Sequence, residues 1–171
     1  MIRRLFVTCC SLVLVATTAT GCSTFTKNQN AATANSHTLS VKDYEKALAE
    51  LRDVVATTNY DGDDATGEFS RNMLGNWVIA NLALDQLTDT GNAPTADAVK
   101  ASEISAASRV GQNWDKFSQT TRDFLLPAFV VGDYLQANPS VKAPDFSTGH
   151  VQVDSRYGSW DGTAGQLVPT R

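Results

Sequence analysis

The sequence predicts a mainly α-helical domain of about four helices, with a short two-stranded sheet joining its N- and C-terminal segments. Three observations carry this expectation. Apolar side chains recur at spacings of three and four in blocks spread between Tyr44 and Leu135. Glycine and proline separate the blocks, Gly91 and Pro94 most plainly. Strict alternation of apolar and polar residues appears only late, in His150-Val151-Gln152-Val153-Asp154. The 171 residues suffice for about one domain, and 42% hydrophobic against 19% charged is the balance of a chain that buries a core.

Residues 1–21 read as a secretory signal: Arg3 and Arg4 open it, an apolar stretch follows from Leu5 to Val15, and small residues lead to Cys22. The apolar stretch is too short for the roughly 20 residues of a membrane-spanning helix. Ala19-Thr20-Gly21 before Cys22 resemble a bacterial lipobox, whose cysteine is diacylated on sulfur and becomes the first residue of the mature protein. The alternative is ordinary cleavage near Ala16 or Ala19, which leaves a free thiol. Cysteine usage favours the anchor, because Cys9 and Cys10 leave with the signal and Cys22 then has no intrachain disulfide partner. Acyl chains hold durably, at about 0.8 kcal/mol per buried methylene. The expected location is outside the cytoplasm, bound to the membrane through lipid at Cys22. Residues 22–36 then serve as a flexible tether rich in Thr, Asn, Ala and Ser. The folded domain is expected over residues 37–160, with 161–171 a mobile tail of turns.

Ser40-Val41-Lys42-Asp43 fits a capping box, with Leu39 and Tyr44 placed as its hydrophobic staple. Tyr44, Leu48, Leu51 and Val55 then line one face of a helix ending near Ala56. Asn59 to Gly67 reads as a loop. A second helix over about Phe69–Thr88 carries Phe69, Met73, Trp77, Ala80, Leu84 and Leu87 on one stripe, widened by Leu74, Val78 and Leu82. So broad a face calls for burial against more than one neighbour. Thr95 caps a third helix, Ala96–Arg109, of mostly small residues. A fourth covers about Gln119–Ala137, where Pro127 is expected to kink or divide it. One strand at Val151–Val153 needs a partner, and Ala34–Leu39 ahead of the first helix is the nearest candidate.

Several stretches, taken in order, resemble the SurA N-terminal-like family of exported chaperones and foldases across residues 34–170. Asn35, Ser36, Leu39 and Ser40 stand where that family has a turn leading into its first helix, with Ser36 in place of Gly. Thr95 and Val99 match the cap of its third helix, and Asp154, Ser155, Arg156, Tyr157, Gly158 and Trp160 match its closing segment. Many relatives carry a parvulin-type peptidyl-prolyl isomerase domain between the last helix and the closing strand, about a hundred residues. Here only Asn138 to Gly149 occupies that interval, so the resemblance implies the helical chaperone module without isomerase activity. Its expected partners are unfolded or exported polypeptides. The competing reading is a scaffolding lipoprotein that binds one folded envelope partner.

Residues point the same way by exclusion. Removing 1–21 takes away Arg3 and Arg4 and no carboxylate, so the remaining 150 residues carry 12 basic against 18 acidic side chains, a formal −6. That surface suits nucleic acid poorly. Asp61 and Asp63 start like a calcium loop, but Ala65, Thr66 and Asn72 stand where the template needs an oxygen ligand, a glycine and a bidentate glutamate. The stretch Asp61–Glu68 is expected to be a solvated loop, an irregular weak cation site being the alternative. His37 and His150 are the two histidines, too few for a recognisable zinc site. No nucleophile elbow or phosphate-binding glycine loop occurs, so neither an enzyme nor a cofactor is expected. The candidate polypeptide-binding residues are Trp77, Trp114, Phe117, Phe124 and Tyr134. Periodicity makes Trp77 mainly a core residue, while Trp114, Phe117 and Tyr134, near helix ends, have the better chance of lining a groove.

Overall fold

A computed structural model of the chain describes residues 29–56, 67–142 and 144–170. The signal peptide, Cys22, the first part of the tether and Asp61–Thr66 of the acidic loop lie outside the described residues. Among the described residues four α-helices form the body: α1 (Val41–Ala56), α2 (Glu68–Asp89), α3 (Ala96–Val110) and α4 (Gln119–Ala137). Five short strands accompany them: β1 (Asn30–Ala34), β2 (His37–Ser40), β3 (Val151–Val153), β4 (Ser159–Asp161) and β5 (Gln166–Val168). The domain is mainly α with small antiparallel sheets, as its sequence predicts.

The sheet joining the two ends has three strands in the order β2-β1-β3, not two. β1 is central: Ala34 pairs with His37 across a hairpin, and Ala32, Thr33 and Ala34 pair with Val153, Gln152 and Val151. The folded region therefore reaches back into residues 30–36, which the composition assigns to the tether. Ala31, Ala32 and Ala34 are fully buried or nearly so, at 0%, 1% and 0% exposure. A register shift between Asn30 and Ala32 lets adjacent alanines both turn inward. Their small side chains allow α1 and α2 to approach the sheet closely. Asn35 holds the hairpin corner at φ 51°, a left-handed conformation that asparagine tolerates.

Residues 161–168 are likewise structured. β4 and β5 form a hairpin in which Trp160 pairs with Leu167, and both side chains pack on the main core. Leu167 comes within 3.9 Å of where a side chain on Gly75 of α2 would start. Gly158 makes the hairpin possible. Its φ is 123°, and a Cβ there would stand 2.5 Å from the Val168 carbonyl oxygen.

The helix ends follow local chemistry. Ser40 Oγ accepts from the Asp43 amide at 3.0 Å and donates to its carboxylate at 2.6 Å. Thr95 Oγ1 accepts from the Ala98 amide at 3.2 Å. α2 packs against α1, α4, β1, β5 and the short turn Phe146–Thr148, which accounts for its wide apolar face. Tyr44 is fully buried between α1 and α2: its hydroxyl donates to the Ser70 carbonyl, and its ring lies 5.7 Å from Phe124 and 4.9 Å from Tyr157. α4 is one continuous helix through Pro127, not two. Packing against α1, α2 and α3 on its other faces holds it together across the missing hydrogen bond.

The closing segment is tied to α1 by charge, through the Arg156 guanidinium 3.9 Å from the Glu45 carboxylate. Asp154 accepts from the Arg156 guanidinium at 2.9 Å and from the Arg156 amide at 3.0 Å, and its own amide donates to Ala31 at 2.9 Å. The Arg156 hydrogen bonds hold the Asp154 carboxyl below its ordinary pKa, against the opposing effect of burial. A carboxyl whose folded pKa is depressed stabilises the fold above its unfolded value, and that contribution is lost as pH falls through the folded value. Asp154→Asn is therefore expected to flatten the acid side of the stability profile, measured as urea midpoints between neutral pH and the acid range. Burial, and next the charge and hydrogen bond of Glu45, push the neighbouring Tyr157 phenol up to about 12.

Candidate functional site

The expected binding aromatics do not form one exposed groove. Trp77, Trp114, Phe117 and Phe124 are buried, at 7%, 4%, 4% and 5% exposure, and Tyr134 is half-buried. Trp114 and Phe117 are corrected to core residues. They follow α3 through the turn Gly111–Asn113, and Trp114 sits edge-on to Phe117 at 6.4 Å and to Phe129 at 6.1 Å. At 4% exposure each, both rings are closed to a partner.

Trp77 and Phe124 are brought together. Their edges help to line a depression of about 300 Å³ between α2 and α4, with Met73, Leu125, Ala128 and Phe129 as its other apolar walls. Arg109 forms the rim: its guanidinium lies 5.9 Å from the Phe129 ring and is bonded to Asp133 of α4. Ala128 is exposed, and its short side chain leaves the depression open. Tyr134 lines a separate groove of about 530 Å³ between α3 and α4, floored by Ala98, Ala101, Ser102 and Ser105. Alanine and serine on α3 thus open space along α4.

A third concavity lies on the other flank of α4. On a helical wheel Phe124, Leu125, Ala128 and Phe129 face the depression, while Asp123, Leu126, Pro127 and Val130 point the opposite way. The latter four, with Leu84, Asp85 and Thr88 of α2, Pro94 and Val99 near the start of α3, and His37, enclose about 380 Å³. Asp85 is a polar anchor in the α2 wall of this concavity. Its carboxylate takes Asn35 Nδ2 at 2.7 Å and meets His37 Nε2 at 3.0 Å. Asn35 in turn exchanges hydrogen bonds with His150, through its own amide at 2.8 Å and its side-chain oxygen at 2.9 Å. The hairpin corner, β3 and α2 are thereby locked together. Sequence reading missed Asp85, although a lone carboxylate in Leu84-Asp85-Gln86-Leu87 is a visible signal.

Among the described residues no group of three or more His, Cys, Asp or Glu side chains is placed to hold a metal ion. Among the same residues no helix is long and apolar enough to cross a membrane. Compared with family models, curated proteins and solved structures, the chain matches none.

Proposed function

We propose that this protein is a lipid-anchored cell-envelope module that binds unfolded or apolar segments of exported polypeptides, without isomerase activity, nucleotide or metal. The observation that carries the reading is the depression between α2 and α4, where Met73, Trp77, Leu125 and Phe129 present apolar edges around the gap at Ala128. A client side chain the size of leucine or valine gains about 1.5–3 kcal/mol by full burial. One such contact falls short of the entropy lost on association, so several must be made along α4 together. The outcome is weak, reversible holding with little sequence preference. The short interval Asn138–Gly149 supports a non-catalytic role, since it leaves no room for an inserted domain.

A second reading, binding of one folded partner, is favoured by a different observation. Ile104 on α3, at 66% exposure, is the large hydrophobic residue that stands out in solvent among the described residues. A promiscuous holding surface usually offers a wider apolar patch. The full chain, kept in a mild nonionic detergent, separates the two when titrated into an aggregating unfolded polypeptide followed by light scattering. Suppression of several unrelated clients near one-to-one stoichiometry supports the first reading. No suppression of any of them removes it, and crosslinking in the native envelope then seeks the single partner.

A further inference from the structure

The pocket between the end of α2, the start of α3 and the Pro127 flank of α4 differs in chemistry from the depression across the helix. Its walls are aliphatic, from Leu84, Val99, Leu126 and two prolines, and its polar lining is the carboxylates of Asp85 and Asp123 with Thr88 and the His37 ring, the last already held by Asp85. Among the described residues no Lys or Arg lines it. The bonds described for these carboxylates come from Asn35, His37 and Gln119, the last donating to Asp123 at 2.7 Å. Each carboxylate oxygen has a second lone pair to offer. Pro127 adds a further acceptor on the same turn. Lacking an N–H, it leaves the Asp123 carbonyl without its i+4 partner in α4.

We propose that this pocket receives an arginine side chain carried by an apolar segment of a bound polypeptide, a specificity that rests on the polypeptide-binding reading above. The aliphatic stem lies along Leu84, Val99 and Leu126, and the guanidinium supplies its five donors to Asp123 and Asp85. Charge complementarity selects a basic occupant, since a neutral apolar side chain leaves both carboxylates without a new partner and an acidic one is repelled; arginine is favoured over lysine because its planar fork of donors can bond two carboxylates at once.

The test uses the full chain in nonionic detergent and two blocked, fluorescein-labelled heptapeptides of Leu and Val. One carries a central arginine, the other the neutral isostere citrulline. Anisotropy is expected to show the arginine peptide bound about ten-fold more tightly. The preference should shrink in about 0.5 M salt. Asp123→Asn, an exposed and conservative change that spares the Asp85 clamp, is expected to abolish most of that preference and leave citrulline-peptide binding unchanged. Equal binding of the two peptides, or a preference that survives Asp123→Asn, overturns the proposal. If equal binding comes with competition against an unfolded client, the polypeptide-binding reading stands and only the arginine pocket falls. If neither peptide nor client binds, that reading fails and the pocket with it.

Discussion

Tyr44→Ala is expected to lower the unfolding free energy by about 3–5 kcal/mol, a large share of the 5–15 kcal/mol typical of a domain. The ring is fully buried where α1, α2, α4 and the closing segment meet, against Phe124 and Tyr157. Removing it opens a cavity bounded by four elements that cannot all collapse inward. Tyr44→Phe isolates the hydroxyl, whose bond to the Ser70 carbonyl then goes unmade, and costs about 0.5–1.5 kcal/mol. Urea unfolding of both variants checks the pair. A loss from Tyr44→Ala no larger than that from Tyr44→Phe contradicts the central packing role of the ring.

A chain that starts at His37 is expected to lose cooperative folding, whereas one that starts at Gln29 keeps it. The first lacks β1, the strand between β2 and β3, so both ladders lose their partner at once. Each buried backbone group left unpaired costs about 1–3 kcal/mol, and the burial of Ala31, Ala32 and Ala34 against the helices goes as well. The sum reaches the whole stability of a domain this size. Thermal unfolding followed by near-ultraviolet circular dichroism distinguishes the two chains. A sharp transition in the His37 chain shows that the helices stand without the sheet.

All four helices were legible because their signals are local. Ser40 and Thr95 announce their helices through the hydrogen bonds they make, and Gly91 with Pro94 marks an end. β1 was hidden by its own virtue: alanine and threonine look like tether, yet a central strand pressed by helices needs small side chains. β4 and β5 span three residues each, too short for alternation to register, and what holds them is Leu167 on Gly75 and the close approach at Gly158. The candidate site was half legible. Helical spacing placed Trp77 and Phe124 on inward faces but could not say that their edges share one depression, since that depends on the crossing of α2 and α4. Trp114 and Phe117 lie in a turn, where periodicity is silent, and Phe129 across from Trp114 decides their burial. Expectations about Cys22 and the acidic loop fall on residues outside the described structure.

Whether the α2–α4 depression holds clients is tested by comparing the wild-type chain with Ala128→Glu in suppressing aggregation of an unfolded client. Ala128 is exposed in the middle of α4, and glutamate is a good helix former, so the variant is expected to melt within a few degrees of the wild type. A carboxylate placed among Met73, Trp77, Leu125 and Phe129 makes burial of an apolar client side chain unfavourable. About ten-fold more of the variant is expected to be needed for the same suppression. Equal suppression by two equally stable chains contradicts it and moves client binding away from the α2–α4 depression.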